Sequence, residues 1–329
     1  MSPRPRPLLT TLLRLSPEPE PSALEPEDFM QDSLTTIFDA VVNQHGDGDL
    51  VGTDREQKVV FSTGVEKEKG GVGEVKVGLY RPGGGWEQRG LFAHYVWNAG
   101  VLGGVLIEGE EEGGEGEEVQ GGGKKREAWT VQNDSLLEVG SGTGLVGIVA
   151  ALKGAARVVI SDYPEEGLVG NIRANVDFNI KDKDTREKVE VRGHEWGVVE
   201  GEWERENRGA FGRVVACDCL WMPGEHGNLR RSLGWFLRGD GRAWVIAGFH
   251  TGREKLRGFF DKDALAEVGL EIEELYERNA YGEEREWVDD RGYEDNVARK
   301  SWLVVGVLRR IGGGEGKGEG VDGEKGSQG

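Results

Sequence analysis

The chain has 329 residues, enough to bury a sizeable core in one or two domains. Its 60 acidic residues outnumber 41 basic ones and leave a net charge of −19, which argues against a nucleic-acid-binding surface and suits either a basic protein partner or plain solubility. No apolar run approaches the roughly 20 residues of a membrane span, and Cys217 and Cys219 are too few and too close for a disulfide framework or a zinc site, so a reducing, cytoplasmic setting is expected.

Residues 1–30, rich in proline and glutamate, read as a flexible arm. Their first part, with Arg4, Arg6 and Arg14, with Leu8, Leu9, Leu12 and Leu13 between them and no acid, also admits a mitochondrial targeting segment, against which the early prolines count. Residues 31–107 form an N-terminal extension: a short helix over 31–42, a hairpin of Lys58–Ser62 and Glu74–Tyr80, and an apolar helix from Leu91 to about Leu106 that carries Trp97. Residues 108–128 are almost entirely glycine, glutamate and a few basic residues and predict a disordered insertion, as does the tail over 312–329.

Residues 129–311 alternate regularly. Strands are predicted at Ser135–Val139, Arg157–Ser161, Lys188–Arg192, Arg213–Cys217, Ala243–Gly248, Leu270–Leu275 and Trp302–Leu308. Helices are predicted at Thr143–Leu152, Gly167–Val176, His226–Leu237 and Lys255–Val268. Such alternation implies an α/β fold, a doubly wound seven-stranded sheet with helices on both faces. The link between the last two strands, residues 277–300, is charged and shows no helical period, so the final strand is expected to enter antiparallel.

The first of these strands ends in Glu138-Val139-Gly140, and glycines stand at 140, 142 and 144 before a helix. Glycine permits the tight turn and lets the backbone approach a ligand, while the helix presents free N–H groups to it. Gly142-Thr-Gly-Leu-Val-Gly147 matches a dinucleotide fingerprint, but it begins two residues late, and Glu138 suits a ligand bearing sulfonium and ammonium groups better than a pyrophosphate. The second strand ends at Asp162, about 20 residues beyond the turn, where a carboxylate can accept both ribose hydroxyl protons; a strand-end turn aspartate is the competing reading. The third strand runs into His194-Glu-Trp-Gly197, where Trp196 either walls an adenine or simply packs. The fourth delivers Asp218 and Trp221 to the same sheet edge, as an amine-holding carboxylate and a channel wall or as end-of-strand structure. His94, His226 and His250 show no metal spacing.

Leu136–Gly144, Val158–Pro164, Asn171–Asn175, His194–Gly197 and Ala216–Trp221, with the upstream Phe92–Gly100, together resemble family 16 of the seven-β-strand, Rossmann-like class I methyltransferases. The likeness is strongest to the fungal nicotinamide N-methyltransferase-like branch, some members of which methylate a lysine or the N-terminal amine of translation elongation factor 1-alpha. It covers roughly residues 88–310, apart from the insertion. The resemblance implies S-adenosyl-L-methionine as cofactor. It also implies that Trp97 lines the donor pocket, Gly140 and Gly142 cradle the methionine part, Asp162 binds ribose, Trp196 lies by the adenine, and Cys217 contacts the donor through its backbone. Two departures stand out: Trp221 occupies a place often held by tyrosine or phenylalanine, and Cys217 one more usually alanine or serine.

The resulting expectation is a monomeric N-methyltransferase acting on a protein lysine or N-terminal amine, without nucleic acid or membrane partners. The alternatives are a small-molecule, nicotinamide-like N-methyltransferase with a closed acceptor pocket, and a non-catalytic binding module that keeps the fold.

Overall fold

The computed structural model describes residues 9–16, 44–45, 58–65, 70–80, 93, 95–109 and 129–312. The helix expected over 31–42, most of the insertion and nearly all of the tail lie outside these residues.

In chain order the strands and helices begin with β1 (Leu13–Ser16), β2 (Gln44–His45), β3 (Lys58–Phe61), β4 (Val75–Val77), β5 (Val96–Trp97) and helix α1 (Asn98–Glu108). There follow β6 (Ser135–Val139), α2 (Leu145–Leu152), β7 (Arg157–Asp162), α3 (Glu166–Asn179), α4 (Lys183–Glu187), β8 (Val189–Gly193), α5 (Glu202–Glu206) and β9 (Phe211–Cys217). The rest are α6 (His226–Phe236), β10 (Leu237–Gly248), α7 (Arg253–Arg257), α8 (Lys262–Ala266), β11 (Leu270–Asn279), β12 (Glu284–Glu286), α9 (Asn296–Lys300) and β13 (Trp302–Arg310).

The main sheet runs β8-β7-β6-β9-β10-β13-β11-β12. Strands β8, β7, β6, β9 and β10 run parallel to one another, and β13 is antiparallel to both β10 and β11. The antiparallel final strand is therefore present, and it slots between β10 and β11. Side chains alternate faces at the two-residue strand period. Leu136, Val158, Ile160, Val215, Trp244 and Ile246 join the core that includes Val101 of α1, Ile148 of α2 and Ile172 of α3. Leu137, Val159, Val214, Ala216, Val245 and Ala247 join the opposite core with Leu229 of α6, Leu256 of α7 and Leu265 of α8. Strand order reverses between β6 and β9, and a crevice opens there beyond the carboxyl ends of the strands.

Several sequence expectations are corrected. The segment read as a flexible arm contains a 3-10 turn, Leu9–Leu12, and strand β1, which pairs with β3 in a sheet of order β1-β3-β4. Leu9 and Leu12 enter the core, which supplies the burial a polar arm would lack. The Trp97 helix begins only at Asn98, because Val96 and Trp97 pair as a strand with His45 and Gln44. The single helix expected over Lys255–Val268 is broken. Burial of adjacent Phe259 and Phe260 turns the chain through a 3-10 segment, and Asp261 restarts the helix by accepting from the Ala264 amide at 2.9 Å. The charged link over 277–300 holds β12, which adds an eighth strand.

Candidate active site

The crevice is a cavity of about 380 Å³. Trp97, Glu138, Gly140, Gly142, Asp162, Trp196, Cys217, Asp218 and Trp221, the residues singled out in the sequence, all line it. So do several that sequence reasoning passed over, among them Tyr95, Ser141, Met222, Glu225 and Thr251.

The glycine turn leaves β6 through positive φ at Gly140 (65°), Gly142 (57°) and Gly144 (76°), a region that non-glycine residues enter rarely. A Cβ at Gly140 would lie 2.6 Å from the Cys219 sulfur and 2.8 Å from Trp196 Cζ2. The bare backbone there is what lets Trp196 lie across the turn. The turn is pinned by the Gly142 amide, which donates to Asp162 Oδ2 at 2.6 Å, and by the Ser141 amide, which donates to the Ser161 carbonyl at 3.1 Å. Asp162 Oδ1 accepts from the Tyr163 amide at 2.7 Å. Each carboxylate oxygen has more than one acceptor site, so these bonds leave capacity for a ligand's hydroxyls.

Glu138 is buried at the start of α2, where its Oε2 accepts from the Gly147 amide at 2.8 Å. Burial pushes its carboxyl up to about 8, and the nearby Asp162 charge adds to the rise. Burial likewise pushes Asp162 up to about 6, against the opposing pull of the Gly142 and Tyr163 amides. Two buried carboxyls that resist ionisation form a site that favours incoming positive charge. The same burial holds the Cys217 and Cys219 thiols well above their ordinary range, as expected for space-filling rather than nucleophilic cysteines.

Trp196 sits on a loop that is fixed from below. The Gly197 amide donates to Ser232 Oγ at 2.9 Å, and His194 Nε2 lies 3.0 Å from the same oxygen. The His194 Nδ1 faces Glu204 Oε1 at 3.5 Å, a carboxylate that favours a proton on this nitrogen and so leaves Nε2 to accept from the Ser232 hydroxyl. Burial lowers the pKa of His194 and favours the neutral ring this arrangement needs.

Asp218 follows β9 with φ of 59° and is 8% exposed. Its amide donates to the Ile246 carbonyl at 2.7 Å, and its Oδ1 accepts from the Gly248 amide at 3.1 Å. The loop bearing Trp221 is tied down where His226 Nε2 meets the Leu220 carbonyl at 3.0 Å. Ser141 Oγ and Thr251 Oγ1 are buried polar atoms with no hydrogen-bond partner among the described residues, and both residues line the cavity. With the two high-pKa carboxyls and the bare glycine backbone, they form a set that fits a ligand with hydroxyls, amines and a positive centre. Among the described residues no group of His, Cys, Asp and Glu could hold a metal, and no helix is long and apolar enough to cross a membrane.

The strand order and the glycine-turn cavity at its switch point define the class: a doubly wound domain of the class I methyltransferase type. Narrower placement comes from the family model described as lysine methyltransferase, family 16, which matches residues 86–264, and the chain belongs to that family. A "Protein N-terminal and lysine N-methyltransferase EFM7" of Kluyveromyces lactis is 29% identical over 179 residues, covering 49% of this chain and 59% of that protein. Its namesake in Yarrowia lipolytica is 30% identical over 212 residues, covering 58% and 70% of the two chains. That in Schizosaccharomyces pombe is 27% identical over 194 residues, covering 57% and 68%. The chain thus spans a little over half to about two thirds of these relatives.

Proposed function

We propose that this protein is an S-adenosylmethionine-dependent N-methyltransferase acting on a protein amine, either a lysine side chain or an N-terminal amine. The observation that carries the reading is that Asp218 and Trp221 share one cavity with the glycine turn, Asp162 and Trp196. The printed names of the relatives, protein N-terminal and lysine N-methyltransferases, support the choice of acceptor.

When bound, S-adenosylmethionine supplies a methyl group on a sulfonium sulfur. The bare backbone of the turn at Gly140 and Gly142 would hold its methionine part, with Trp97 lining the pocket. Glu138 and Asp162 would favour its positive charge, and Asp162 would also accept from the ribose hydroxyls. Trp196 would wall the adenine, and the backbone at Cys217 would contact the donor. The acceptor amine must be uncharged to attack. Asp218 accepts a hydrogen bond from it and sets its direction, while Trp221 walls its path and keeps water away. Positioning and desolvation supply most of the rate in a displacement of this kind.

The test is incubation of the protein with methyl-labelled S-adenosylmethionine and a cell lysate, followed by separation by mass. A labelled protein band supports the proposal, and purified elongation factor 1-alpha is the first single substrate to try. Label found only in a small molecule favours a nicotinamide-like acceptor. Failure to bind S-adenosylmethionine in calorimetry favours a binding module.

A further inference from the structure

Helix α3 carries asparagines at 171, 175 and 179, four residues apart and hence on one face. Asparagine is a mediocre helix former, so three in register call for a reason. That face lies along one edge of β4, whose other edge pairs with β3. The Lys76 amide donates to Asn179 Oδ1 at 2.7 Å, and Asn179 Nδ2 returns a bond to the Lys76 carbonyl at 2.7 Å. The Gly78 amide donates to Asn175 Oδ1 at 2.7 Å, and Asn175 Nδ2 returns one to the Gly78 carbonyl at 2.9 Å. Asn171 Nδ2 adds a second bond to the same carbonyl at 3.0 Å. The match is geometric: two residues along a strand advance about 6.8 Å and four along a helix about 6 Å. Side-chain amides thus stand where, among the described residues, β4 has no second neighbouring strand.

Asn175 does one thing that Asn179 does not. Its second N–H donates to the carbonyl of Thr143 at 3.0 Å, inside the glycine turn between Gly142 and Gly144. Asn175 is 3% exposed, and Thr143 is itself buried in the cavity wall. Asn179 spends its second N–H on the Asn175 carbonyl of its own helix, at 2.7 Å. One buried amide therefore bonds at once to the β4 edge and to the turn assigned to the methyl donor.

We infer that Asn175 is a positioning residue that couples the N-terminal sheet to the donor turn, making that sheet part of the donor site rather than an appendage. The inference rests on the donor reading of the turn. Its test uses two isosteric variants of the full chain. Asn175→Asp keeps the acceptor but loses both N–H donors and sets negative charge against the Gly78 and Thr143 carbonyls. Asn179→Asp makes the same change one helical turn away, against the Lys76 carbonyl and the Asn175 carbonyl of its own helix. Both should lower the melting temperature. Only Asn175→Asp should weaken S-adenosylhomocysteine binding in calorimetry, by tenfold or more, with Asn179→Asp within twofold of the parent. Parental affinity in Asn175→Asp, or equal weakening in both variants, overturns the coupling.

A second measurement needs no variant. Coupling is reciprocal, so S-adenosylhomocysteine added to the parent should slow hydrogen exchange at the Gly78 amide more than at the Lys76 amide. Equal protection, or none, with the ligand demonstrably bound, overturns the inference. A parent that binds neither S-adenosylhomocysteine nor S-adenosylmethionine sinks the functional reading instead, so the two failures are distinct.

Discussion

Asp218 occupies a left-handed backbone position, φ 59°, in a place where glycine would sit without strain. For a residue with a Cβ such a conformation costs about 1–3 kcal/mol. Its Oδ1 bond to the Gly248 amide offsets part of that strain, and under the proposed function the same carboxylate would hold the acceptor amine. Asp218→Asn separates the two, because asparagine tolerates the same conformation and still accepts from Gly248. Urea denaturation should find its stability within about 1 kcal/mol of the parent, while turnover on the methylated substrate falls roughly tenfold or more at near-parental donor affinity. Parental turnover would make Asp218 purely structural. The buried acids give a second prediction. Glu138 has an ordinary value of 4.5 and a folded value of about 8, and for Asp162 the pair is 3.8 and about 6. Both shifts are upward, so the folded protein holds protons that the unfolded chain has released. Their contribution is therefore to lower stability as pH rises through these windows, up to about 8 for Glu138. A ligand that brings positive charge favours the ionised carboxyls and drives those protons off. S-adenosylmethionine affinity should then rise from pH 6 to about 8, and calorimetry in buffers of different ionisation enthalpy should register proton release. A flat affinity with no proton exchanged would show that the ligand does not use this pair.

At the scale of elements, the contact of α2 with β7 decides whether Glu138 can reach its partner. A Cβ at Gly147 would lie 2.5 Å from Ile160 Cγ1 and 2.8 Å from Glu138 Oε2. Neither neighbour has room, since Ile160 is fully buried and Glu138 nearly so. Gly147→Ala should push the helix away from the strand and destabilise the fold by about 1–3 kcal/mol in denaturant titration. Donor affinity should fall with it, because the Gly147 amide is the Glu138 partner. An unchanged midpoint would mean that α2 has slack the packing does not reveal. The glycine was visible in the sequence only as the last letter of a dinucleotide pattern. Its real reason, helix-to-strand contact beneath a buried acid, depends on which strand lies under α2.

For the molecule as a whole, the acidic excess hides an arginine-rich hub at one end of the sheet. Glu277 of β11 is fully buried and pairs with Arg253 at 2.6 Å, Arg285 at 2.7 Å and Arg291 at 3.3 Å. Glu294 closes the network, 3.1 Å from Arg253 and 3.0 Å from Arg285. The Arg253 guanidinium also lies over Phe249, 4.4 Å from its ring centre, two residues before the cavity residue Thr251. The hub therefore ties the link over 277–300 to the rim of the site. Breaking such a network from one side strands a buried charge, and Glu277→Ala should lose about 3–5 kcal/mol of stability in urea titration. A loss under about 1 kcal/mol would show that Glu294 alone suffices.

By itself the sequence determined the parallel core and the residues that line the candidate site. Alternating apolar runs, a glycine turn between strand and helix, and acids at strand ends are local signals, and a parallel sheet brings strand ends to one edge whatever the loops do. Thus Glu138, Gly140, Gly142, Asp162, Trp196, Asp218 and Trp221 were legible from the residues, Trp97 and Cys217 only through the family resemblance, and all line one cavity. What the tertiary structure alone decided is everything that depends on partners far along the chain. Strand β1 exists because β3 offers it an edge, and Trp97 is extended because residues 44–45 pair with its strand. Lys255–Val268 breaks because two adjacent phenylalanines must both be buried. Ser141 and Thr251 are unremarkable letters whose hydroxyls become significant only once burial leaves them without partners among the described residues. Asn175 belongs here too: its amide joins residues 32 and 97 positions away, a distance over which no local pattern carries information.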